Sequence, residues 1–128
     1  LNRLLWILMK NSWHPEQGRV AHARKRMSME KVKSYLDENY KEHITLELLS
    51  QKFYINKYYL TKIFKETYGV TIISYLETRR ITQAKNLLRF TDMTVDEISA
   101  AIGMNDANYL ARRFRKIEGM SPGEYRKK

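Results

Sequence analysis

The chain has 128 residues, 43% apolar and 30% charged, with a formal net charge of +10. That composition allows one ordinary domain or two very small ones with a buried core, and it excludes a disordered polar segment. Without cysteine there is no disulfide frame, thiolate zinc site or cysteine nucleophile, and no apolar run approaches the ~20 residues of a membrane span.

Leu1, Leu4, Leu5 and Leu8 recur at helical spacing, and Trp6, Ile7 and Met9 make that stretch apolar nearly all round. It is too short for a span and no cleavage-type segment follows, so it is not read as a signal peptide. The chain begins with Leu rather than Met, as a piece of a longer protein would, and this apolar surface calls for a partner outside the chain. Residues 11–27 hold Pro15, Gly18, two histidines and a cation cluster without a clear period, and read as a linker.

From Ser28 the pattern sharpens. Ser28 is placed to cap a helix carrying Val32, Tyr35, Leu36 and Tyr40 on one face. Thr45 caps a short helix with Leu46, Leu49 and Phe53 inward, and Asn56 caps a second that stops at Gly69. Thr71 opens a longer helix, about 71–89, with Ile72, Tyr75, Leu76, Ile81, Ala84, Leu87 and Leu88 available to the core. Thr94 starts another short helix with Val95, Ile98 and Ile102, ended by Gly103. Asp106 caps the next, and residues 121–126 read as a last turn with Pro122 at its first helical position. Nothing alternates like a strand, so the class is all-α, with about seven helices.

One outline occurs twice. "YYLTKIFKETYG" (58–69) and "NYLARRFRKIEG" (108–119) align Leu60, Phe64 and Gly69 with Leu110, Phe114 and Gly119 at a constant offset of 50. A short helix and tight turn precede each copy. Leu49-Ser50 matches Ile98-Ser99 at an offset of 49, so the second turn holds one extra residue, assigned to Asn105. A short helix, a turn and a second helix make a helix-turn-helix outline, or a plain packing hairpin. Two copies, each with a basic second helix, favour the DNA-binding form.

Helical angles show which side chains are free. At about 100° per residue, Leu60, Ile63, Phe64 and Thr67 make an inward stripe, with Tyr58, Thr61, Lys62 and Lys65 opposite. In the second copy Leu110, Phe114 and Ile117 face in, with Asn108, Ala111, Arg112 and Arg115 opposite. Neither outer face contains an acid; Glu66 and Glu118 sit to the side. Arginine forks onto guanine, asparagine onto adenine, and an alanine or a tyrosine ring meets a thymine methyl. Lys57, Lys65, Arg115, Lys116 and the helix N-termini suit phosphates, and Asn56 and Asn105 join that set. Arg113 points partly inward, where it can pair with an acid.

These stretches resemble the DNA-binding domain of the AraC/XylS family of bacterial transcription regulators over about residues 28–128. The resemblance rests on "ITLELLSQKFYINKYYLTKIFKETYGVTIISYL", on "RRITQAKNLL", and most specifically on "VDEISAAIGMNDANYLARRFRKIEGMSPGEYR". Met104, Leu110 and Arg115 depart from the usual residues, which bears on sequence preference rather than fold. It implies two helix-turn-helix units of the three-helix, homeodomain-like type, at 45–69 and 94–119, joined by a linker helix at 71–89. They would read two successive major-groove segments on one face of DNA. By position, Lys57, Tyr58, Thr61 and Lys62 would read bases for the first unit, and Ala107, Asn108, Ala111 and Arg112 for the second. Many members carry a ligand-sensing, dimerising or phospho-receiver domain ahead of this one, so residues 1–27 would be the end of an upstream regulatory domain plus linker. The implied partners are double-stranded DNA at promoters and operators, RNA polymerase, and a second copy through the upstream domain, in the bacterial cytoplasm. No membrane, cofactor or metal is expected.

Two other classes compete with this reading. A basic helical module that binds an acidic protein would show only weak, sequence-independent DNA binding. An enzyme finds little support: His14, His22 and His43 lack ligand spacing, no Gly-rich phosphate loop occurs, and Glu47, Asp92, Asp96 and Glu97 read as first-turn acids of helices.

Overall fold

A computed structural model describes residues 15–128. Among them lie seven helices and no strand: α1 Pro15–Asn39, α2 Leu46–Phe53, α3 Lys57–Tyr68, α4 Ile72–Phe90, α5 Val95–Ala101, α6 Ala107–Glu118 and α7 Pro122–Lys127. The apolar segment at residues 1–11 lies outside the described residues.

Short side chains fix where the helices begin. The hydroxyl of Thr45 accepts from the Leu48 N–H at 3.0 Å, and that of Thr71 accepts from Ser74 at 3.0 Å. Thr94 and Ser121 form reciprocal capping boxes with Glu97 and Glu124. Each such cap is worth about 1 kcal/mol, because it satisfies a helix donor that has no partner within the helix. Gly69 and Gly119 end α3 and α6 in the left-handed conformation, at φ of 79° and 83°.

The predicted break at Ser28 is absent. α1 runs from Pro15 through Ser28 to Asn39, so residues 15–27 are helical rather than an irregular linker, and Ser28 is not a cap. Pro15 presets the first helical turn, and the residues that follow (Glu, Gln, Ala, Arg, Lys) are mostly strong helix formers. Their polarity removes the apolar period on which the sequence reading relied.

The buried residues of both repeats join one cluster, with Phe64 and Phe114, the matched aromatics, each fully buried. Met29, Val32 and Leu36 bring α1 into it, and Ile72, Leu76, Ile81, Ala84 and Leu88 bring α4. Thr67 and Ile117 are exposed, against the inward stripe expected for them. Both stand in the last turn of their helices, seven residues beyond Leu60 and Leu110.

Polar ties position the two halves. Arg80 on α4 donates from Nε to the Tyr40 carbonyl at 2.8 Å and from Nη2 to the Glu42 carbonyl at 2.9 Å. Its neighbour Arg79 lies over the Tyr40 ring at 4.4 Å. The α1–α2 loop is thereby held against α4, and it is touched by the second repeat as well. A Cβ built on Gly103, at φ 89°, would stand 2.7 Å from the Lys41 carbonyl oxygen. The turn of the second repeat therefore lies directly on the first half. At the other end Arg126 of α7 donates to the carbonyls of Leu88 (2.9 Å) and Thr91 (3.0 Å), closing the C-terminus of α4.

Candidate nucleic-acid interface

α3 is held by Leu60, Ile63 and Phe64, all buried. Buried residues at these spacings turn the opposite side outward. Tyr58, Thr61, Lys62 and Lys65 are exposed there, Tyr58 at 75%. Asn56 accepts from the N–H groups of Tyr58 (2.9 Å) and Tyr59 (3.3 Å). Thr61 donates its hydroxyl to the Lys57 carbonyl at 2.9 Å, which leaves its methyl and its lone pairs for an incoming base.

Lys57 is half-buried, and its ammonium donates to Glu47 at 3.1 Å. That hydrogen bond, followed by the charge of Glu47, raises the Lys57 pKa above its ordinary value. The Glu47 carboxyl falls below its usual range, first through its own backbone N–H and then through Lys57. Sequence spacing does not reveal this pair, because the partners stand on different helices.

α6 repeats the arrangement. Leu110 and Phe114 are buried, while Asn108, Arg112, Arg115 and Lys116 are exposed, and Ala107 and Ala111 are half-buried beside them. Asp106 accepts from the Asn108 N–H at 2.9 Å and from Tyr109 at 3.4 Å. Asn105, the extra residue of the second turn, is exposed. The Arg112 guanidinium lies over the Tyr109 ring at 5.8 Å, and Arg115 approaches Glu124 at 3.7 Å.

One expectation changes here, and the inward pairing open to Arg113 is met. The N-termini of α3 and α6 are not open anion sites, since Asn56 and Asp106 occupy two amides at each, and Asp106 adds a negative charge. Arg113 is drawn away from the outer face: its Nε and Nη2 donate to the two carboxylate oxygens of Glu77 on α4, the latter at 2.8 Å. Among the described residues no cluster of possible metal ligands occurs, and no helix is long and apolar enough to cross a membrane.

A family model described as a helix-turn-helix domain matches residues 49–128. A probable AraC family transcriptional regulator from Rhodopseudomonas palustris superposes with a TM-score of 0.70 at 25% identity, over 78% of this chain and 94% of that one. The chain belongs to the AraC/XylS family. Among AraC/XylS relatives it is similar to the HTH-type transcriptional regulator YijO of Escherichia coli, 38% identical over 105 residues, 82% of this chain and 37% of that protein. It therefore spans just over a third of that relative. The DNA-binding domain of AdpA, solved in complex with a target DNA, superposes with a TM-score of 0.73 at 28% identity, over 77% of this chain and 88% of that one. As in its AraC/XylS relatives, the paired helix-turn-helix is the sequence-specific DNA-binding part of a transcription regulator.

Proposed function

We propose that α3 and α6 enter two successive major-groove segments on one face of a duplex and read an asymmetric bipartite site. Base edges are met by Lys57, Tyr58, Thr61 and Lys62 in the first unit and by Ala107, Asn108, Ala111 and Arg112 in the second. Lys65, Arg115 and Lys116, with the carboxamides of Asn56 and Asn105, hold the flanking phosphates and set the register. The observation that carries this reading is the matched pair of outer faces, exposed and free of acids, on two helices of equal length. The likeness to the DNA-binding domain of AdpA, solved in complex with a target DNA, supports DNA as the ligand.

A single recognition helix reads few base pairs, and a tandem repeat extends the site within one chain. The domain belongs to a longer cytoplasmic regulator that engages RNA polymerase at promoters, and residues ahead of Ser28 lead to its upstream regulatory and dimerising domain.

Titration with duplexes at several salt concentrations tests the reading. Log K is expected to fall with a slope near −0.9 per phosphate contacted, while a preference of roughly 10³ or more for the selected site persists. If every duplex binds alike at physiological salt, the chain is instead a basic module for an acidic protein.

A further inference from the structure

The N-terminal part of α1 leaves the core. Met29, Val32 and Leu36 are buried, whereas none of residues 24–28 is. Residues 24–28 thus form an overhang of about 7.5 Å at 1.5 Å per residue. It carries Arg24, Lys25 and Arg26 and no acid. Successive residues diverge by about 100° on a helix, so Arg24, Lys25 and Arg26 spread over about 200° of it rather than line one side. All three are exposed.

The overhang has a defined place. α1 packs on α3, and the Lys25 ammonium lies 5.9 Å from the centroid of the Tyr59 ring. Tyr59 stands in the first turn of α3, beside the outward Tyr58. Lys25 lies about 40° from Met29 around α1, close to the core-facing direction, so the helix passes over the leading end of the reader as it departs. A duplex whose groove admits that end brings its sugar-phosphate wall alongside. An acid-free end with cations spread over about 200° of its circumference presents at least one of them to that wall over a range of crossing angles.

We propose that the overhang of α1 is a third DNA-binding element, a phosphate arm in which Arg24, Lys25 and Arg26 grip the backbone flanking the first reader. This rests on the two-reader docking above. The arm adds affinity and salt dependence without adding base preference, because phosphates carry no direct sequence information.

The test uses the whole 128-residue chain. The triple variant Arg24→Gln/Lys25→Gln/Arg26→Gln keeps good helix formers in α1. Its control, Lys31→Gln/Lys41→Gln/Lys52→Gln, removes the same charge from exposed positions elsewhere on α1, on the α1–α2 loop and on α2. Binding to a selected site with long flanks is measured from 50 to 200 mM salt, with circular dichroism confirming equal helix content. The arm variant is expected to lose about 0.9 of slope per released phosphate contact, roughly 3.5-fold in affinity across that range for each. Its ranking of sites should match the parent's, and the control should keep the parent's slope. An unchanged slope in the arm variant, or an equal change in both variants, overturns the proposal. A parent that prefers no sequence refutes the two-reader docking instead, and the slope difference between the variants still decides the arm.

Discussion

Arg112 and Arg113 are neighbours in sequence with separate tasks. Arg112 stands exposed over Tyr109, whereas Arg113 is half-buried and held by both oxygens of Glu77. About 100° of helix rotation accounts for the division. Arg112→Ala is expected to cost about 1–3 kcal/mol on the best site and to relax discrimination at one base pair. Lys116→Ala, beside the reading face, should weaken all sequences alike and lower the salt slope by about 0.9. Site selection repeated with each variant checks this, and equal relaxation by both would refute the angular assignment. The angles placed Tyr58, Lys62, Asn108 and Arg112 outward from the sequence alone, since two buried anchors per helix leave one solution. They could not supply Glu77 or Glu47, because a partner on another helix is set by tertiary packing and leaves no mark at short spacing.

At the scale of the element, the caps were the most legible features. Thr45, Asn56, Thr71, Thr94 and Asp106 each start the helix expected of them, because the capping oxygen and its amide partner lie within three residues; Ser28 alone does not. The course of α1 before Ser28 was illegible because that stretch has no apolar period, though it is rich in helix formers. The glycines show the same boundary. Gly69 and Gly103 both end a helical segment at positive φ, but only Gly103 faces backbone. Gly69→Ala meets open space and is expected to cost about 1 kcal/mol through the left-handed conformation alone. Gly103→Ala adds a Cβ at 2.7 Å from the Lys41 carbonyl oxygen, which cannot swing aside as a flexible side chain does. Chemical denaturation of the two variants should therefore show the larger loss of stability at Gly103. Equal losses would mean that the loop yields freely and the contact between halves is slack.

Across the whole molecule, α4 differs from a rod with one reader at each end. Its 19 residues span about 28 Å, near the 34–36 Å between groove segments one turn apart. Yet the two halves grip the same turns of it. Glu77 holds α6, while Arg79 and Arg80, farther along, hold the α1–α2 loop, and Lys85 reaches Glu118 at 3.3 Å. The spacing of the readers therefore depends on side-chain locks as well as helix length. An inserted residue in α4 would break several of these at once and confuse misfolding with misalignment. A charge reversal at one lock separates them. Glu77→Arg places two cations together and should let α6 turn away from α4, with full-site affinity falling several-fold. Duplexes carrying only one half-site should bind as before, because each reading face is untouched. Adding Arg113→Glu restores an opposite pair across the same contact and should recover much of the lost full-site affinity. Circular dichroism must show the parent's helix content in both variants for the comparison to count. Undiminished full-site binding by a folded Glu77→Arg chain would mean that the readers find their spacing independently, leaving the lock with no part in recognition.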